Sequence, residues 1–401
     1  MMGRAPRPVQ PRRARAFTAY AAPLDLDQDH GAPSAEHRAS CVRKLAVMKL
    51  GMLHVFENPA GAPERRIVRE HIDLMVEAEA LGFDSVWPAE HHFSTYGWCA
   101  SPQVPLAAVA ARTSRIRLGT GIVALPFHHP VRLAEDFAFL DLLSEGRVEF
   151  GVGRGYQPQE YAGFNLDQSR SREMFDEALR LIIECWTAPR VDFQGRYWQV
   201  SDVAVLPKPL QRPHPPVHVA AISPESFERA GRSGFNLLMG FAFGLTFAGA
   251  RRGLEAYRAG RAAVGLDPDG GRRSCLMMVY PARSHEQARR EFREPLSWYY
   301  EAIARQAAPA QGYVPSYEYY ARSRDFARHL QVDDLVDTPA MVCGDVDHCV
   351  EKLSHVAREF GFDELLCWTR IGALPQNKVR AAMELLAGEV LPRVRAAELV
   401  V

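Results

Sequence analysis

The chain has 401 residues, 47% hydrophobic and 24% charged, an ordinary globular composition. Its 48 basic and 48 acidic side chains cancel, so no global field favours nucleic acid or an anionic membrane, and the expected partners are small molecules or protein. Seven cysteines with no CxxC pair suit reduced thiols, and no apolar run approaches the roughly 18 residues of a membrane helix; a soluble, cytoplasmic protein is expected.

Residues 1–47 read as a disordered tail, because Arg4, Arg7, Arg12, Arg13 and Arg15 sit among Pro and Ala without hydrophobic period. The stretch "AFTAYAAPLD" is too short and too broken for a secretory h-region. Met48 opens a strand-like run, so translation from Met48 is an expectation that the intact mass of natively expressed protein checks. Residues 48–401 are expected to form a single domain.

From Met48 onward, short runs rich in Val, Ile, Leu and Phe alternate with stretches of helical period, the texture of a parallel α/β domain. The strand candidates are Lys49–Val55, Phe83–Trp87, Ile116–Val123, Val148–Val152, Pro216–Ala221, Phe235–Met239, Ser274–Tyr280 and Glu364–Trp368. Between them, "IVREHIDLMVEAEALG" and "VRLAEDFAFLDLLSEG" read as amphipathic helices, each closed by a glycine. Eight strand-helix pairs over about 350 residues predict a (β/α)₈ TIM barrel with insertions. One insertion, "RVDFQGRYWQV", predicts a hairpin before the fifth strand. The other is the aromatic-rich stretch Trp298–Phe326 after the seventh strand, read as a lid loop or, alternatively, as a helical insertion on the barrel flank.

A barrel of this kind carries its chemistry at the C-terminal ends of the strands. There the second strand meets Glu90, His91 and His92, and the third contains Gly119 and Gly121 before His128, His129 and Pro130. The fourth ends in "FGVGRG" and the fifth in "AISPES", where Ser223 reads as an N-cap with Pro224 at N1. Free N–H groups at such a helix start also suit an anion, with Ser223 and Ser226 adding hydroxyls. Adjacent histidines without HExxH spacing give no metal site.

Together, "GFDSVWPAEHHF", "LGTGIVALPFHHPVRLAEDFAFLDLLSEGR", "FGVGRG", "PPVHVAAISPES" and "FGFDELLCW" resemble the bacterial luciferase-like flavin-dependent monooxygenases, from about Met48 to Arg393. The resemblance implies a homodimeric barrel that takes reduced FMN from a separate flavin reductase. It further implies reaction of that FMN with O₂, by way of a C4a-peroxyflavin, to oxygenate a small, largely apolar substrate such as an aldehyde or ketone. It makes His91 the catalytic histidine beside the flavin. Gly121 and Ile122 become the backbone against the isoalloxazine ring, often with a non-proline cis peptide. Arg154 becomes an arginine near the flavin, and Arg172, Ser223 and Ser226 become phosphate contacts.

Three positions depart from the luciferase α subunit. Gly153 stands where that subunit has a reactive cysteine at the flavin, Glu160 where it has a catalytic-site aspartate, and Ile222 where it has a glutamate. Light emission is therefore not expected. Two other readings stay open: an F420-dependent hydride-transfer enzyme of the same superfamily, and a non-catalytic flavin-binding protein.

Overall fold

The computed structural model describes residues 48–243, 245–306, 314, 317 and 341–396. The tail 1–47 therefore lies outside the described residues. Eight strands form the centre: β1 (Lys49–His54), β2 (Ser85–Pro88), β3 (Arg117–Gly119), β4 (Val148–Gly153), β5 (Val217–Ala220), β6 (Asn236–Gly240), β7 (Arg273–Pro281) and β8 (Glu364–Trp368). Each pairs in parallel with the next, and β8 returns to β1 with Lys49 opposite Glu364, so the sheet closes into a TIM barrel without free edges. Helices α1 (Glu64–Leu81), α2 (Gln103–Ala110), α3 (Pro130–Leu143), α4 (Pro158–Gly163), α5 (Ser171–Thr187), α6 (Pro224–Arg232), α7 (Phe247–Ala262), α8 (His285–Gln306), α9 (Val346–Phe360) and α10 (Gln376–Leu385) accompany the strands.

Helix α1 shows how the period becomes packing. Ile67, His71, Leu74, Met75 and Ala78 recur every three or four residues and are the buried ones. Gly82 then ends the helix at φ 94°, its N–H reaching back to Ala78 O and Glu79 O. The second expected glycine stop is displaced. Helix α3 is capped by Ser144, and Gly146 takes its positive φ of 79° two residues later.

The expected third strand, Ile116–Val123, is two pieces. Strand β3 stops at Gly119, the Gly121–Ile122 peptide is cis, and Val123–Ala124 resumes pairing with the end of β4. The side chain of Thr120 bridges the break, donating to Gly151 O at 2.7 Å and accepting from Gly151 N at 2.9 Å. Those backbone groups of Gly151 are thus satisfied by a side chain. A Cβ on Gly151 would lie 1.8 Å from Thr120 O. Gly151→Ala is expected to cost about 1–3 kcal/mol through forced backbone displacement, read as a lowered urea midpoint; an unchanged midpoint would mean the crossing yields freely.

The hairpin appears where expected, Val191–Gln194 pairing antiparallel with Gln199–Val203. One strand was not expected: Met341–Gly344 pairs with the protruding end of β7, Met278–Pro281. Four apolar residues are too few to carry a period of their own. Of the two readings of Trp298–Phe326, lid loop or helical insertion, its start is helical, since Trp298, Tyr299 and Tyr300 belong to α8, with Tyr299 packed against Trp368. Of the remainder of that stretch, Val314 and Tyr317 are among the described residues.

Within the barrel, the strand beginnings carry polar groups and leucines sit further along the strands. Glu364 accepts from Ser85 and, at 2.8 Å, from Ser274, while Trp87 Nε1 donates to Ser85 Oγ at 2.7 Å. Glu149 accepts from Arg117 and His218, each at 2.8 Å, and from Arg272. Above these, Leu53, Leu238, Leu276 and Leu366 from β1, β6, β7 and β8 floor a pocket at the barrel mouth. Each such leucine stabilises the fold by about 1.5–3 kcal/mol when buried. No described helix is long and apolar enough to cross a membrane.

Candidate active site

The pocket opens at the C-terminal ends of the strands, and its wall is uneven. Leucines line the β1, β6, β7 and β8 side, whereas Gly121 and Gly153 line the side facing them. A Cβ on Gly121 would lie 2.7 Å from Leu53 Cδ1, and one on Gly153 would lie 3.0 Å from the Ile122 side chain. Side chains there would fill the slot. Their absence leaves room for a flat group to approach the backbone.

His91 stands beside this slot, 8% exposed, because β2 runs straight into it. Its ring is wedged by edge contacts with Tyr96 and Tyr156, at centroid distances of 4.9 and 5.9 Å. Its Nδ1 has two neighbours of opposite character: Glu160 Oε1 at 3.1 Å and Gln157 Nε2 at 3.0 Å. A protonated Nδ1 donates to the carboxylate; a bare Nδ1 accepts from the amide. Both tautomers are thereby supported, and Nε2 is left without a protein partner among the described residues. Glu160, on the first turn of α4, also accepts from the backbone N–H of His92 at 2.9 Å.

Glu90 is the second buried acid of the site. Its carboxylate accepts from His92 Nε2 at 2.9 Å, from His128 Nε2 at 2.9 Å and from the Ala124 N–H at 3.0 Å. Burial alone would raise its pKa, but the hydrogen bonds from His128 and His92 overcome that and lower it. For His128, burial disfavours the charged form, yet Glu90 wins and the pKa is raised. His92 is thus held by Glu90 on one side while its backbone anchors Glu160 on the other.

The far end of the pocket is cationic. Arg172 on α5 pairs with Glu225 on α6 at 3.2 Å, and Arg229 on α6 pairs with Asp176 on α5, a reciprocal clasp between two helices. Arg154 lies under the Tyr317 ring, 4.5 Å from its centroid. The pKa of Arg172 is lowered, first by burial and then by the neighbouring Arg154 guanidinium. Tyr317, 2% exposed, hydrogen-bonds through its hydroxyl with Gly155 O and Ser171 Oγ, both at 3.0 Å. An anion here would meet several positive groups and the start of α6.

Residues 48–364 match the luciferase-like monooxygenase family. The chain belongs to that family. Among the relatives of this luciferase-like chain is the uncharacterized protein y4vJ of Sinorhizobium fredii, 27% identical over 82% of this chain and 92% of its own length. The oxygenase component of a flavin-dependent trigonelline monooxygenase of Acinetobacter baylyi is 33% identical over 43% of this chain and 49% of its own. The chain thus matches about half the length of that named monooxygenase. Among solved structures, the monooxygenase RslO1 of Streptomyces bottropensis superposes with a TM-score of 0.76 at 29% identity, covering 86% of this chain and 99% of RslO1. Relatives with a named activity include flavin-dependent and alkanal monooxygenases, and this luciferase-like chain is an oxidoreductase; other named relatives are F420-dependent.

In this luciferase-like barrel, the fold brings His91, Glu160, Gly121, Ile122 and Gly153 to one part of the pocket wall, and Arg154, Arg172, Ile222 and Ser226 to the rest. Ser223 is the exception: it does not line the pocket. It is the N-cap of α6, locked with Ser226 in a capping box, where Ser226 Oγ donates to Ser223 O at 2.7 Å. Sequence reasoning left Gln157, Tyr156, Asp176, Arg229 and Tyr317 out of the site. Spacing could have found two of them, because Asp176 follows Arg172 by one helical turn and Arg229 follows Ser226 likewise. Tyr317 had no local signal beyond its aromatic neighbourhood.

Proposed function

We propose that the chain is the oxygenase component of a two-component monooxygenase. It takes reduced FMN from a separate flavin reductase and uses O₂ on a small, largely apolar organic substrate, an aldehyde or ketone among them. One observation carries this reading: a single pocket joins a glycine-walled slot beside a doubly held histidine to an arginine-rich end. The slot suits a flat tricyclic ring, and the arginine end suits a monophosphate. Gly121, Ile122 and Gly153 would flank the ring, while Arg154, Arg172 and Ser226 would face the phosphate, with Ile222 beside them. Reduced FMN, when bound, supplies the electrons that activate O₂.

The protein's own part is proton control and exclusion of water. His91 can take or return a proton at Nε2, the ring nitrogen that faces no protein partner among the described residues. Glu160 accepts the hydrogen bond from Nδ1–H both before and after Nε2 gains its proton, while Gln157 donates to Nδ1 only in the other neutral tautomer. The ring therefore need not rotate between the two steps. The leucine floor keeps the slot dry and would accommodate an apolar substrate. The bound cofactor sets the boundary with the F420 reading, which rests on the relatives that use that deazaflavin.

Two measurements test the proposal. Protein loaded with reduced FMN without oxygen is mixed rapidly with aerated buffer while the flavin spectrum is followed. A transient near-ultraviolet absorbance that precedes oxidised FMN supports it; strict dependence on F420, with no FMN binding, overturns it. At the other end of the pocket, Arg172→Ala should weaken FMN about tenfold or more and leave riboflavin, which lacks the phosphate, within about twofold. Equal losses for both ligands would remove Arg172 from the phosphate.

A further inference from the structure

Three backbone and side-chain contacts converge on the crossing between β3 and its continuation. The Gly121 N–H donates to Pro88 O at 3.0 Å, the Glu90 N–H donates to Ile122 O at 3.1 Å, and the Ala124 N–H donates to the Glu90 carboxylate at 3.0 Å. Glu90 thus grips this crossing with both its backbone and its side chain. The same carboxylate holds His128, four residues beyond Ala124, and His92, two residues beyond itself. Its side chain is completely buried. An ionised carboxylate only accepts hydrogen bonds, which is what convergent N–H donors require.

We propose that Glu90 is a positioning residue of the active site, clamping the Gly121–Ile122 shelf to His92 and, through His92 and Glu160, to His91. The inference rests on the flavin reading given above and extends it. The hydrogen-bonded path is continuous: Ala124 N–H to Glu90, Glu90 to the His92 ring, the His92 N–H to Glu160, and Glu160 to His91 Nδ1 at 3.1 Å. Shelf and histidine therefore share one support. Glu90 acts on the ring end of the slot and does not reach the arginine end.

The test is Glu90→Gln, compared with the wild-type full chain for binding of oxidised FMN and of riboflavin, and for the absorption and circular dichroism of the bound flavin. Glutamine keeps the shape and one acceptor, so its amide oxygen can stay on Ala124, but its NH₂ turns toward the imidazoles. The expected result is loss of about tenfold or more in affinity for FMN and riboflavin alike, with bound-flavin spectra moved toward those of free flavin. His128→Asn removes one donor from the partly exposed edge of the clamp and should shift both readouts the same way by less. Unchanged affinity and spectra in Glu90→Gln overturn the proposal, as does a fall in melting temperature with the bound spectrum unmoved. Wild-type protein that binds neither flavin removes the flavin reading itself, and the clamp with it, a result seen before any variant is made.

Discussion

Replacing His91 with asparagine is expected to lower oxygenation about a hundred- to ten-thousand-fold, the usual yield of a positioned proton-transfer group. Asparagine can place an amide N–H where His91 Nδ1 meets Glu160 Oε1 at 3.1 Å, so the contact that orients the side chain persists. Nothing then occupies the place of Nε2. The loss should fall on kcat, with FMN affinity within about threefold, because the phosphate end is untouched. The measurement is product formed per reduced FMN, with a substrate found by screening aldehydes and ketones, across a pH series. The variant's profile should differ in shape from that of wild type. Turnover within about tenfold of wild type, or an unchanged profile, would take the proton role away from His91.

The largest effect on stability is expected at Glu149→Gln. Glu149 is 2% exposed and faces Arg117, His218 and Arg272 inside the barrel. Burial would raise its pKa, but hydrogen bonds and charge from His218 and Arg272 bring it from 4.5 down to about 2. A shift of that size corresponds to about 3 kcal/mol. Because the folded pKa is depressed, this contribution is complete above the unfolded value of 4.5 and disappears as pH falls through about 2. Glutamine leaves the Arg117 and Arg272 guanidiniums without their counter-charge and turns an NH₂ toward donors. A loss of about 3–5 kcal/mol is expected near neutral pH. Urea unfolding at pH 7 and at steps between pH 4.5 and 2 checks it: the gap between wild type and variant should close on acidification. A gap independent of pH would mean the cost comes from shape and not from charge.

The clearest signals in the sequence were local ones. Apolar runs followed by helical period announced each strand-helix pair, and the turn residues of "RVDFQGRYWQV" announced the hairpin. "EHH" was placed at a strand end because it follows the apolar run Phe83–Trp87 almost directly, and β2 ends at Pro88. Local signals also misled. "RIRLGTGIV" has the texture of one strand, but Thr120 turns its hydroxyl onto the Gly151 backbone and the strand breaks. "SWYY" opens the stretch whose length suggested a lid loop or a helical insertion, and there it is helix, with Tyr299 buried against Trp368.

The sequence by itself therefore determined the barrel, the end of it that carries chemistry, and the residue types that meet there. Period, strand length and covalent adjacency all act within a few residues of chain, so they can be read one stretch at a time. Only the tertiary structure decided the partners. Glu160 reaches His91 across 69 residues, Tyr317 reaches Ser171 across 146, and Arg272 reaches Glu149 across 123. It also put Glu90 at the centre of the β2–β3 junction. A hydrogen bond is chosen by distance and direction in space once the barrel has closed, and residues that far apart in the chain carry no mark of each other before it does.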